Sequence, residues 1–403
     1  MMAAELKLDN VRVHRARIGV PFGTHHTKMS MLEHADGLRL MVSTANLIER
    51  DWTCKTQALY VTPMLPPLRD DAADGAGDSR THFRATLLAY LQAYGKSSVL
   101  DDWSHIVRRH DFSAVNVHLI ASVPGQHQRE ALHHWGHMRL REVLRRTCTA
   151  SGDDAASTSG SSSSLFAQFS SIGSLGKQSD AWLLGEFLES LSAQQQQQQQ
   201  PPVAGQSPPP TTASLFSART TAKQPKLHLI YPSVDDVRNC FEGYEGGGSL
   251  PYRSDTDAKQ PYLRRLMHRW VADGRHRTRA MPHVKCYGRL LRTSLADTDA
   301  DVRLSWFLLS SANLSKAAWG ALQRGRSQLA IRSYELGVLF VNDEQSDVHV
   351  TENAQCNNET RQRFTVGHFL PFDWPPTPYT AADEPWLADR SYARPDVFGR
   401  CVS

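Results

Sequence analysis

The chain has no Cys-x-x-Cys pair, no long apolar run and little excess of either charge. Each absence closes off a class of protein. Its six cysteines (Cys54, Cys148, Cys240, Cys286, Cys356 and Cys401) are scattered along 403 residues. Structural zinc and disulfide frameworks use closely spaced cysteines, so neither is indicated, and the cysteines read as reduced thiols of an intracellular protein. Apolar stretches fall far short of the roughly 20 residues that cross a bilayer. The opening MMAAELKLDN lacks the basic start and apolar core of a secretory leader. No membrane association is expected. A net charge of +4 suits a polyanionic partner without arguing for one. With 40% hydrophobic and 21% charged residues, the composition is that of a globular protein long enough for two domains.

Local patterning supplies an outline. Leu38–Ser43 and Gln57–Val61 read as strands, Thr81–Tyr94 as a helix, and Val115–Ile120 as a buried strand ended by Pro124-Gly125. We place a domain boundary there, giving domains of 1–124 and 125–403. Arg129–Arg146 reads as a helix with an exposed basic face. His133, His134 and His137 lie on that stretch, where a metal site is the weaker reading. Ala150–Ser164 reads as a loop, Phe166–Gly176 as ordered and Trp182–Leu191 as a helix. A glutamine run, 194–200, then passes into Pro and Ser. Such a tract buries too little apolar surface to offset its ordering entropy, so a disordered insert is expected over about 192–222. Order resumes at the strand Leu227–Tyr231.

One pattern occurs twice. Phe22-Gly23-Thr24-His25-His26-Thr27-Lys28 leads to the strand Leu38–Ser43, then Thr44-Ala45-Asn46-Leu47 and Trp52. Met281-Pro282-His283-Val284-Lys285 leads to Trp306–Ser310, then Ser311-Ala312-Asn313-Leu314 and Trp319. A single His-x-Lys is usually a solvated face, and Ser-Ala-Asn-Leu alone is an ordinary turn. Two copies in the same order point to a duplicated half-site.

The chemistry of such a pair is specific. Residues i and i+2 of an extended segment face one side, so histidine and lysine reach one ligand together. Lysine offers fixed charge to phosphate oxygens, and histidine serves as nucleophile or general acid and base. Two facing sets would hold a phosphoryl transition state with Lys28, Lys285, Asn46 and Asn313 in place of a metal. Each imidazole needs its far nitrogen anchored. Gln57 and Glu335, polar positions on apolar strands, are the candidates; which serves which histidine stays open.

These residues resemble the phospholipase D superfamily, and within it the tyrosyl-DNA phosphodiesterase family. The likeness extends to Gln168–Gly176, to Leu229–Val234, to Gly246–Tyr252, to Ser311–Gly320 and to the strand Ser333–Phe340. It implies an α/β fold of two similar phospholipase D-like domains, each a mixed sheet flanked by helices, with the active site at their seam. It implies His26 as the nucleophile, forming a covalent phosphohistidine, and His283 as general acid and then base. His25 lies out of step with Lys28 and is set aside. Ser170, Ser171 and Gly173 are expected on the DNA side, and Ser249 and Pro251 on the peptide side. Phe22 could stack on a base or serve as a core residue before a turn. The expected substrate is DNA with a 3′-phosphotyrosyl end left by topoisomerase I; no metal or other cofactor is expected, and the protein is expected to act as a nuclear monomer.

Three departures from the resemblance shape these expectations. The Asp that the superfamily places after each Lys is replaced by Glu33 and Leu290, and Glu33 is not counted as catalytic. Only 25 residues precede His26, so the first domain is expected to be incomplete at its start. The Gln/Pro tract is expected to be irrelevant to catalysis. Rival readings are another phospholipase D-type nuclease or phospholipase, and a non-catalytic DNA-binding protein.

Overall fold

The first half-site grows out of an antiparallel meander of β1 (Met29–His34), β2 (Gly37–Ser43) and β3 (Leu59–Val61). On β2, Leu38, Leu40 and Val42 are buried while Arg39 is exposed, so one face covers core and the other meets solvent. A computed structural model describes residues 10–73, 75–148, 164–195, 225–291, 302–342 and 364–403.

The second half-site grows out of a seven-stranded mixed sheet. Its order is β4 (His118–Ser122), β13 (Glu335–Val341), β10 (Leu304–Ser310), β9 (Cys286–Leu290), β6 (Ser164–Gln168), β7 (Lys226–Ile230) and β8 (Met267–His268). The pairs from β4 to β6 are antiparallel, and β6–β7 and β7–β8 are parallel. Every residue of β9 and β10 is buried, which explains their nearly unbroken apolar runs. A third, antiparallel sheet joins β11 (Ala321–Gln323), β12 (Gln328–Ile331) and β5 (Gly125–Gln128). The fold is α/β, with sheets flanked by helices, and the two half-sites rest on sheets of unequal size.

Among the helices, α1 (Glu49–Thr53) follows the first Asn, and α2 (Phe83–Ala93) buries Phe83, Leu87, Tyr90 and Leu91. Helix α3 (Ser98–Arg108), capped by the Ser97 hydroxyl, packs beside α2. Helix α4 (Gly136–Thr147) packs against β4. The seven-stranded sheet takes β4 from before residue 124 and pairs it with β13.

Several element boundaries move from their expected places. The strand expected over 57–61 begins at Leu59, and that expected over 115–120 runs His118–Ser122. The expected basic helix splits into a 3-10 turn, Arg129–His133, and α4. Its basic face is not simply exposed. His137 and Arg141 are buried: His137 Nδ1 meets the Ser190 hydroxyl at 2.7 Å and Nε2 meets Glu186 at 3.0 Å, while Arg141 donates to Glu189 at 2.9 Å. Those partners come from residues 183–191, a π turn followed by a short helix, and no local pattern announces them. The expected disordered insert lies outside the described residues from position 196 onward.

Candidate active site

Both His-x-Lys motifs end at the start of a strand, and both Asn residues follow the end of the neighbouring strand. Lys28 precedes β1 and Lys285 precedes β9. The Ser43 amide donates to Lys28 O at 2.9 Å, and the Ser310 amide donates to Lys285 O at 3.0 Å. One residue on, the Thr44 amide donates to Ala58 O at 3.1 Å and the Ser311 amide to Leu336 O at 3.0 Å. The repeat therefore includes the third strand of each unit, and Gln57 and Glu335 occupy equivalent positions.

The two units lock together through backbone. The His26 amide donates to Tyr334 O at 3.0 Å, and the Tyr334 amide to Thr24 O at 2.9 Å. On the other side, the Thr56 amide donates to Met281 O at 3.0 Å, and the His283 amide to Thr56 O at 2.9 Å. Each histidine is thus laid beside the residue preceding the other unit's anchor. The pairing left open by sequence resolves crosswise: His26 Nδ1 lies 3.0 Å from Glu335 Oε2, and His283 Nδ1 lies 3.2 Å from Gln57 Nε2.

A hydroxyl from each motif sets each anchor. Ser311 Oγ donates to Glu335 Oε2 at 2.5 Å and accepts the Leu336 amide at 3.0 Å. Thr44 Oγ1 donates to Gln57 Oε1 at 2.8 Å and accepts the Ala58 amide at 3.0 Å. Nothing in the sequence assigned work to these hydroxyls. Their signal was the Ser/Thr that precedes Ala-Asn in both copies.

Both histidines and both asparagines line one cleft of about 390 Å³, with Ser170, Ser249 and Pro251. Asn313 Oδ1 accepts from the Ser170 amide, the Ser170 hydroxyl and the Ser171 amide, each at 3.1 Å. Its carboxamide oxygen is therefore occupied, leaving the NH₂ to donate to a ligand. Asn46 donates instead to Asp51 Oδ2, from its backbone at 2.7 Å and its side chain at 2.8 Å.

The lysines stand behind this surface. Lys28 Nζ donates to His26 O at 2.7 Å, and the fully buried Lys285 Nζ donates to His283 O at 2.5 Å. Burial pushes both ammonium groups down from their ordinary range, Lys285 strongly. Burial likewise pushes His283 down to about 4, against the raising effect of Asp51.

Other expected residues fall nearby. Gly173 does not line the central cleft; it lines a separate groove of about 350 Å³ with Ser174, Ser315, Lys316 and Arg332. Phe22 is 91% exposed, so it is not a core residue, and it does not line the cleft. His25 packs on Tyr94 and Tyr334, with ring centroids at 5.1 and 5.5 Å, while His26 faces the cleft. Glu33 is exposed on β1 and Leu290 is buried. The paired Trp residues have diverged: Trp52 is 48% exposed and caps Asn46 O at 2.8 Å, whereas Trp319 is buried against Tyr287.

Sequence reasoning missed the charged wall of the cleft. Lys55 pairs with Glu242, Arg50 with Glu242 at 3.1 Å and Glu245 at 2.6 Å, and Arg400 with Glu245 at 2.5 Å. It also missed Asp51, whose Oδ2 lies 3.3 Å from His283 Nδ1. Burial opposes the ionisation of Asp51, but its bonds to His283 and Asn46 win and hold the carboxyl at about 2. In the sequence, Asp51 sits in Glu49-Arg50-Asp51-Trp52, a stretch that looks like any solvated helix start.

A family model for tyrosyl-DNA phosphodiesterase matches residues 2–380. The chain belongs to the tyrosyl-DNA phosphodiesterase family. It is 38% identical over 387 residues to tyrosyl-DNA phosphodiesterase 1 of Drosophila melanogaster, covering 94% of this chain and 60% of that protein. It is 36% identical over 397 residues to a probable tyrosyl-DNA phosphodiesterase of Caenorhabditis elegans, covering 97% of this chain and 74% of that one. The chain thus spans about three fifths of the fly relative's length. Its fold matches a crystal structure of yeast tyrosyl-DNA phosphodiesterase with a TM-score of 0.61 at 18% identity, over 92% of this chain and 79% of that one. The family fold, two phospholipase D-like units meeting at a seam, is the one described above.

Among the described residues, no group of three or more His, Cys, Asp or Glu is placed to hold a metal ion, and no helix is long and apolar enough to cross a membrane.

Proposed function

We propose that this chain hydrolyses the phosphodiester joining a tyrosine side chain to a DNA 3′ end, leaving a 3′-phosphate. One observation carries the reading: both histidines and both asparagines converge on a single cleft, the two lysines are bonded to the histidine carbonyls behind it, and each histidine is anchored at Nδ1 from the opposite unit. An Nδ1 contact leaves Nε2 of each ring for the substrate.

In this reading His26 Nε2 attacks phosphorus with its Nδ1–H held by Glu335. The phenolate leaves with a proton from His283 Nε2. Water then attacks the phosphohistidine, giving its proton to His283 as the P–N bond breaks. Lys28, Lys285 and the free NH₂ of Asn313 supply the positive field for the phosphoryl oxygens, so the chemistry needs no added metal. Ser170, Ser171, Gly173 and Phe22 contact the DNA, and Ser249 and Pro251 the peptide of a topoisomerase I adduct. The protein acts as a monomer in DNA repair in the nucleus.

The test is a single-stranded oligonucleotide bearing a 3′-phosphotyrosine, incubated with purified protein and excess EDTA. Conversion to the 3′-phosphate supports the substrate and the metal independence together. No conversion by folded protein, or turnover of a phospholipid in its place, overturns the reading.

A further inference from the structure

His283 has two neighbours on one nitrogen, and they make opposite demands. Gln57 Nε2 approaches Nδ1 as a donor, at 3.2 Å, which suits a ring with its lone pair at Nδ1. Asp51 Oδ2 approaches the same atom at 3.3 Å and can only accept, which requires Nδ1–H. The anchor of His26 has no such conflict, because Glu335 is itself the acceptor.

The chemistry decides between the two. For the acid step the Nδ1–H ring first takes a proton from solvent at Nε2; as an imidazolium it donates that Nε2–H to the phenolate and ends neutral and usable only if Nδ1 keeps its own proton. That same Nδ1–H tautomer leaves an Nε2 lone pair to take the proton of water. With the lone pair at Nδ1, donation from Nε2 would leave an imidazolate, and no base would face the water. Gln57 can adapt by turning its amide, because Thr44 Oγ1 also reaches Ala58 O at 3.2 Å and can accept from the rotated NH₂. Asp51 cannot adapt. Its Oδ2 is fixed by two donors of Asn46, and its side chain is only 4% exposed.

We propose that Asp51 is the positioning residue that keeps the proton on Nδ1 of His283 through both steps, and that Gln57 orients the ring alone. Asp51 acts through His283 and does not touch the phosphate. The repeat explains why an extra acid is needed: the second unit's anchor is a carboxylate, the first unit's is a carboxamide, and α1 brings the missing charge five residues beyond Asn46. The equivalent place beyond Asn313 is Ala318, since His26 already has its acid. The other charges facing His283 are Lys285 on its own segment and Lys28 from the first unit, both unfavourable to an imidazolium; His26 shares the cleft. Asp51 is thus the carboxylate in contact with that ring.

The role in turnover rests on the activity proposed above, so the test has an arm that needs no substrate. Protein labelled with ¹⁵N-histidine, with His283 assigned by its loss in H283A, reports the tautomer by long-range ¹H–¹⁵N correlation. The expected result is an Nδ1–H ring in the unmodified protein and in Gln57→Ala, and an Nε2–H ring titrating at lower pH in Asp51→Asn. An Nε2–H ring in the unmodified protein, or no change of tautomer and titration in Asp51→Asn, overturns the proposal. The second arm compares 3′-tyrosyl and 3′-(4-nitrophenyl) oligonucleotides in single turnover. Asp51→Asn should slow tyrosine release about 10²–10⁴-fold, the scale of a general acid, and slow nitrophenolate release far less. Adduct should then accumulate with both. Equal loss on both substrates without adduct marks a merely structural Asp51. Inactivity of the unmodified protein on both, with the tautomer result intact, defeats the proposed activity and not the proton placement.

Discussion

Glu335 Oε2 lies 3.0 Å from His26 Nδ1 although 309 residues separate them, and Ser311 donates to the same oxygen at 2.5 Å. In the proposed reaction this carboxylate would fix the tautomer of the nucleophile and stabilise the cationic ring formed on attack. Glu335→Gln should therefore lower single-turnover cleavage by about 10³–10⁴-fold, the scale seen when a buried acid behind a catalytic histidine loses its charge. Ser311→Ala leaves the carboxylate in place and should cost about fivefold, the worth of one hydrogen bond near 1 kcal/mol. Equal losses in the two variants would contradict the ranking.

The division of labour between the histidines has separate signatures. His26→Ala should abolish turnover with no covalent species on a denaturing gel. His283→Gln should let a protein–DNA adduct accumulate, because the water step loses its base. An adduct that persists in His26→Ala would assign the nucleophile elsewhere.

Asn313 and Asn46 should not be interchangeable. Asn313 has its oxygen held by Ser170 and Ser171 and its NH₂ free, whereas Asn46 already spends its NH₂ on Asp51. Asn313→Ala should reduce the cleavage rate about 10²-fold, as for loss of one preorganised donor to an oxyanion. Asn46→Ala should act chiefly by loosening Asp51, so its loss should largely disappear in an Asp51→Asn background. Fully multiplicative losses in the double variant would refute that coupling.

Acid should destabilise the fold through a histidine pair remote from the cleft. His228 Nδ1 meets His268 Nε2 at 2.9 Å, and burial, with the charge of His268 next, lowers His228 from 6.5 to about 3. The folded state then holds this ring neutral where the unfolded chain protonates it. The contribution is complete above about pH 6.5 and is lost as pH falls toward 3. His228→Gln should flatten the fall in denaturant midpoint between about pH 7 and 4. An unchanged pH slope would exclude this site as its source.

The Gly-Gly-Gly-Ser-Leu-Pro-Tyr stretch is a packed element as well as a cleft wall. A Cβ at Gly247 would stand 2.2 Å from the Trp386 ring. Gly247→Ala should destabilise by about 1–3 kcal/mol, as overpacking does, with a matching fall in denaturant midpoint. Gly248 meets nothing within 4 Å, so Gly248→Ala should stay near the parent stability.

The duplicated motif was legible because both copies are local. His, Lys, the strand and Asn recur at fixed order, and that order alone brought His26, His283, Lys28, Lys285, Asn46 and Asn313 together. Gln57 and Glu335 were legible as polar positions in apolar runs, although β3 itself begins two residues past Gln57. Asp51 was not, since nothing local distinguishes a helix-start acid that turns inward from one that stays in water; Thr44 and Ser311 recur before Ala-Asn in both copies, but recurrence alone does not show which group a hydroxyl meets. The basic stretch 129–146 misled for the same reason: charges on a helix look solvated until partners such as Glu186 and Ser190 arrive from elsewhere.

By itself the sequence determined the chemical inventory: two histidines, two lysines and two asparagines on paired strand ends, suited to one phosphate. Tertiary structure decided the wiring. Parallel backbone bridges at His25–Tyr334 and Thr56–Pro282 exchange the units' anchors, so His26 receives a carboxylate and His283 a carboxamide with Asp51 beside it. Strand periodicity determines which side of its own strand a residue faces. Which histidine an anchor meets depends on the docking of two units more than 200 residues apart, and burial there then fixes which groups keep their charge.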